Sequence, residues 1–66
     1  MTGAITVLPE LRHRWIVEQV LTVGAVTVRE VAQRFHVSAS TANRDCDRVG
    51  TRIGRRVHGG IVRDPL

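Results

Sequence analysis

A chain of 66 residues has room for one domain and one small core, and at this size folding buries only about 60% of the surface that the unfolded chain exposes. Its one cysteine, Cys46, excludes an internal disulfide and the paired thiolates of the commoner structural zinc sites, and a single thiol fits a reducing cytoplasm. The net charge is +4 and all 10 basic residues are arginine; residues 1–37 carry four Arg against three acids, residues 38–66 six against three, so the excess lies in the second half.

In chain order, residues 1–7 show no regular polar pattern and read as a loose arm. The Met1 to Leu8 stretch lacks a basic start and a long apolar run, so neither an export signal nor a membrane anchor is expected in it. Pro9 suits the first turn of a helix, where its missing N–H is no loss. Ile16, Val20 and Val23 then recur at helical spacing, with Arg12 one turn earlier on the same side, and Gly24 supplies the stop. This predicts a first helix over 9–23. Leu8, Leu11 and Trp15 form a second apolar stripe on it. Either the arm covers that stripe through Ile5 or Val7, or it is a self-association seam anchored by Trp15.

Ala25-Val26 reads as an extended link. Thr27-Val-Arg-Glu30 has the form of a capping box, and Val28, Val31, Ala32 and Phe35 give a second helix its buried side. The chain must turn at His36, and Ser38 caps a third helix that runs to about 50. On that helix Ala42, Cys46 and Val49 share one stripe, while Ser40, Asn43, Arg44 and Asp47 point away. Ile53–Val57 and Ile61-Val62 pair as strands around His58-Gly59-Gly60. A helix, a tight turn, a second helix and a basic hairpin present one helix to a DNA groove and one loop to the backbone beside it. The fold class expected is mainly α with a small β wing, a three-helix winged helix-turn-helix.

Residues from about Arg12 to Val62 resemble the N-terminal winged helix-turn-helix of the DeoR family of bacterial transcription regulators. The resemblance rests on Arg12…Ile16…Val20, on Gly24-Ala-Val26-Thr-Val28-Arg-Glu30-Val-Ala32-Gln-Arg-Phe35, on Val37-Ser38…Thr41 with Arg44-Asp45, and on Arg56-Val-His58-Gly-Gly60. It implies a domain over 8–63, with the helix-turn-helix at about 25–44, the wing at about 53–62 and a tail at 64–66. It also implies sequence-specific operator binding through the third helix, usually by an oligomer and usually in repression of sugar-metabolism genes. Such regulators continue into a sugar-phosphate-sensing domain, whereas this sequence stops at Leu66, so no effector site is expected in it. Three local departures stand out. Ala42, Cys46 and Val49 replace larger aliphatic residues, Asn43 replaces a usual basic residue, and the segment from Asp45 to Arg56 is one residue shorter. Gly50 or Gly54 must therefore end the third helix.

The residues expected to touch DNA are Arg29, Ser38, Ser40, Thr41, Asn43, Arg44, Arg55, Arg56, His58 and Gly59. Asn43 offers the amide that pairs with adenine, and Arg44 the fork that meets guanine or phosphate. Ser38 serves chiefly as a cap, and Thr41 is as well suited to a helix–helix contact as to DNA. Arg55 or Arg56 would meet phosphate, and Gly59-Gly60 would allow positive φ angles and close approach. Arg29 and the amides at the start of the second helix are further phosphate contacts. Asp45 reads as a brace that holds an arginine or His58 and ties the wing to the third helix.

Cys46 lies on the apolar stripe as a buried, inert thiol. His13, His36 and His58 have no metal-ligand spacing, and no paired-carboxylate site, triad or phosphate-cradling loop suggests catalysis. The expectation is a non-enzymatic regulator without cofactor or metal, bound to duplex DNA at the nucleoid in the cytoplasm, without membrane, as a homo-oligomer or mixed with a full-length relative. Two other readings fit the same residues: a winged helix that docks on another protein, and a truncated remnant without selected activity.

Overall fold

Local chemistry sets the ends of each element. A computed structural model describes residues 8–63. Helix α1 spans Pro9–Thr22, strand β1 Ala25–Thr27, helix α2 Val28–Phe35, helix α3 Ala39–Ile53, strand β2 Gly54–Val57 and strand β3 Gly60–Arg63. Pro9 opens α1, and the Val23 and Gly24 amides close it by donating to Gln19 O at 2.8 and 3.2 Å. Gly24 turns the chain there at φ 105°, a region in which any side chain is strained.

The capping box of α2 is formed in full. Thr27 Oγ1 accepts from the Glu30 amide at 3.0 Å and Glu30 Oε1 accepts from the Thr27 amide at 2.8 Å. His36 ends that helix in the left-handed region, at φ 55°. Ser38 then caps α3 by accepting from the Thr41 amide. A turn of three residues therefore joins α2 to α3.

Ile16 and Val20 of α1, Val26 of β1, Val28 and Val31 of α2, Ala42, Cys46 and Val49 of α3, and Ile61 of β3 form the core. Trp15, Val17, Ala32, Phe35, Val37 and Ile53 pack around it. The sheet order is β1-β3-β2, antiparallel throughout, with Val26 opposite Ile61 and Arg56 also opposite Ile61 on the other side. The wing hairpin is thus sewn to the segment between α1 and α2. The Val28 amide donates to Gly59 O at 2.8 Å and the Arg63 amide to Gly24 O at 2.9 Å. Arg63 also donates through Nη1 to Leu21 O, covering a carbonyl at the negative end of α1.

Several expectations from the sequence need correction. Val23 lies beyond α1 and is 70% exposed, because the helix ends one residue before it; Ile16 and Val20 fill the stripe without it. Ala25–Thr27 is a paired strand and not a link, since β3 supplies its partner groups. Helix α3 continues past 50 to Ile53, so Ile53 belongs to the helix and not to the wing strand. Gly50 is buried inside α3, where an added Cβ would lie 3.4 Å from Arg56 and Ile61, and Gly54 ends the helix in extended backbone. Trp15 is half-buried with its ring edge-on to Phe35, centroids 5.5 Å apart, and Arg34 lies over it at 5.4 Å. It closes the α1–α2 contact through Phe35 and Arg34. The arm at 1–7, Ile5 and Val7 included, and the tail at 64–66 lie outside the described residues.

Candidate nucleic-acid interface

The stripe that buries Ala42, Cys46 and Val49 leaves the opposite side of α3 in solvent, because an α-helix repeats every 3.6 residues. Ser40, Asn43, Arg44, Asp47, Arg48, Thr51 and Arg52 are exposed on it. Arg44, Arg48 and Arg52 follow at four-residue intervals and make one cationic edge along the side towards α1. The sequence reading missed Arg48 and Arg52, although the spacing from Arg44 was there to be seen. Asn43 and Asp47 form the other edge, towards the wing. Thr41, half-buried, lines a hollow of about 320 Å³ with Pro9, Arg12, His13, Arg44, Asp45 and Arg48, and so faces α1 more than the open surface. Its hydroxyl accepts from Ser38 Oγ at 3.1 Å.

Asp45 is a brace, but not the one expected. It is buried against α1, where its carboxylate accepts from Arg12 Nε at 2.5 Å and Nη2 at 3.2 Å, and its Oδ1 is hydrogen-bonded to His13 Nε2 at 2.9 Å. The expected tie to the wing or to His58 fails because Asp45 sits on the buried side of α3, beside Ala42 and Cys46. This pair fixes the angle at which α1 supports α3.

The wing is tied to α3 by Arg56 instead. Its guanidinium donates from Nε to Asp47 Oδ1 at 2.8 Å, from Nη1 to Val57 O at 2.5 Å and Gly60 O at 2.7 Å, and from Nη2 to Asn43 Oδ1 at 2.8 Å. These contacts use four of the five N–H groups that an arginine carries. The pair with Asp47 also neutralises a carboxylate that would otherwise stand on the open face of α3. Arg55 and His58 are exposed on the wing, and Gly59 at its tip has φ 83°. Gly60 has no positive φ; it is required because a Cβ there would lie 2.3 Å from Val26 O of β1.

At the start of α2, Arg29 is exposed. The Thr27, Val28 and Glu30 amides around it are all held within the protein, by Glu30, Gly59 O and Thr27 respectively. Burial pushes the Cys46 thiol above its ordinary value of 9.0, with Arg56 pulling against that rise and Asp45 and Asp47 adding to it. Such a thiol is a poor nucleophile. Among the described residues there is no group of three His, Cys, Asp or Glu placed to hold a metal ion, and no helix is long and apolar enough to cross a membrane.

A helix with an open polar and cationic face, set behind a three-residue turn and beside a basic hairpin, is the geometry of a winged helix-turn-helix. The model of the DeoR-like helix-turn-helix domain matches residues 12–65. The chain belongs to that family. Comparison with curated proteins and with solved structures gives no significant match. As a DeoR-like helix-turn-helix domain, the chain has the DNA-binding function of a transcription regulator. In this DeoR-like domain Arg12 and Asp45 hold the helices, and Arg56 holds the wing, so three charged residues of the sequence motif serve the scaffold.

Proposed function

We propose that this domain binds duplex DNA sequence-specifically, with the first turns of α3 in the major groove and the wing against the neighbouring backbone. It works by binding and not by catalysis, and represses by occupying its site at the nucleoid. The observation that carries this reading is the joined surface of α3 and the wing, made continuous by Arg56 between Asn43, Asp47 and Gly60. Ser40, Asn43 and Arg44 would meet base edges; Arg29, Arg55, His58 and Gly59 would meet phosphates, and Ser38 would place the helix. Arg29 would act through its side chain, because the amides beside it already have partners and Glu30 adds negative charge at that end. Arg48 and Arg52 extend the phosphate-binding edge beyond Arg44.

Fluorescence anisotropy on labelled duplex DNA tests the reading. Each phosphate neutralised contributes about −0.9 to the slope of log K against log salt on B-form DNA. Wild type should show a steep negative slope, and Arg44→Ala should weaken binding by about tenfold, as the loss of one base or phosphate contact does. A folded wild type that leaves duplex DNA unbound at low salt would sink the proposal.

Self-association, with a second copy or with a longer relative, completes the reading. It is favoured by Leu8 and Leu11, which are 60% and 49% exposed on one side of α1. The joint Leu8→Glu and Leu11→Glu variant should sediment as a monomer where wild type does not. A monomeric wild type at the concentrations used for binding would remove this part.

A further inference from the structure

Arg56 belongs to strand β2, yet its guanidinium is turned back onto α3, and Nη2 meets Asn43 Oδ1 at 2.8 Å. Arginine has donors and no acceptor, so the Asn43 atom facing it must be the carbonyl oxygen. Turning the carboxamide over would set NH2 against a guanidinium N–H. Asp47 and the carbonyls of Val57 and Gly60 hold the guanidinium in place from its other sides. Asn43 therefore has its oxygen directed to the wing, and its Nδ2 amide carries no such tie.

An unrestrained asparagine reads adenine with both ends, accepting from N6 and donating to N7. That pair requires oxygen and amide to face one base edge together. With the oxygen held towards the wing and one of its two lone pairs taken by Arg56, Asn43 offers a base its two N–H donors ahead of the remaining lone pair. Guanine presents two adjacent acceptors in the major groove, N7 and O6, whereas adenine and cytosine present an amino group that would oppose the amide. Resting on the DNA-binding reading above, we infer that Asn43, oriented by Arg56, reads through its N–H donors, and that it selects guanine over adenine at the base pair it reaches. Arg56 is then a positioning residue and not a phosphate contact.

Selection of bound sites from random duplex DNA, by wild type, Asn43→Ala, Asn43→Asp and Arg56→Met, tests this. Affinities for synthetic duplexes carrying each base pair at the affected position give the magnitude. Wild type should favour guanine there by about tenfold, the size of one good base contact. Asn43→Ala should lose preference at that single position and keep it elsewhere. Asn43→Asp, which has acceptors only, should move the preference to cytosine or adenine. Arg56→Met frees the oxygen and should move it to adenine. If Arg56→Met shows no cooperative thermal transition, the two exposed Asn43 variants decide the matter alone. A wild-type preference for adenine at that position, or identical sites for wild type and Asn43→Ala, would overturn the inference and leave DNA binding standing. Failure of wild type to retain any duplex would overturn the DNA-binding reading itself.

Discussion

Asp45 is buried in a domain whose core is otherwise small and aliphatic, and its charge is tolerable because Arg12 is buried against it and His13 is hydrogen-bonded to it. Breaking a buried pair from one side leaves an uncompensated charge and costs about 3–5 kcal/mol. Asp45→Ala should therefore abolish or severely lower the thermal transition, while the joint Arg12→Met and Asp45→Leu variant should recover much of the loss. Equal damage from the single and joint variants would show that the pair is not the cause. Cys46 gives a second prediction at this scale. Its thiol is raised on folding, so above pH 9.0, the ordinary value, the unfolded chain sheds a proton that the folded chain keeps. The stability contribution is whole below that pH and declines as pH rises through and beyond it. Denaturant unfolding at pH 8 and pH 10 should show this decline, and Cys46→Ala should show less of it.

Among the elements, the wing turn distinguishes two glycines by different physics. Gly59 needs its positive φ but has open space around it, whereas Gly60 lies against β1 with no room for a Cβ. Gly59→Ala should cost about 1 kcal/mol of left-handed strain. Gly60→Ala should cost more, because the β1–β3 pairing has to part, and differential scanning calorimetry would rank the two. The helices were legible in the sequence because each is written locally: Pro9 and Gly24 bracket α1, the Thr27–Glu30 box opens α2, and Ser38 opens α3. The end of α3 was not, since Gly50 is a residue of close packing against Arg56 and Ile61 and only resembles a stop. Strand β1 was not legible either, because its identity depends on β3, whose paired residues lie 33 or more positions away in sequence. The partner of Asp45 was half legible. Arg12 lay on the buried stripe of α1 and so required a buried anion, but only the packing of α1 on α3 says which one.

For the whole molecule, the separation of roles among arginines matters more than their number. Arg12 and Arg56 hold the scaffold, Arg34 covers the Trp15–Phe35 contact and Arg63 covers the end of α1. Arg44, Arg48 and Arg52 remain on the open edge of α3, with Arg29, Arg55 and His58 exposed beyond it. The thin α3 stripe of Ala42, Cys46 and Val49 is completed by Ile16, Val20, Val31 and Ile61 from other elements, so the reading helix is held by the rest of the fold. This division predicts one DNA face and one supporting face on α1. Titrating the isotopically labelled domain with duplex DNA and following its amide NMR signals tests it most directly. The signals of Ser40, Asn43, Arg44, His58 and Gly59 should shift or broaden together, while Leu11, Glu18 and Leu21 on α1 stay in place. Shifts centred on α1, or a folded domain whose spectrum is unmoved by DNA, would contradict it.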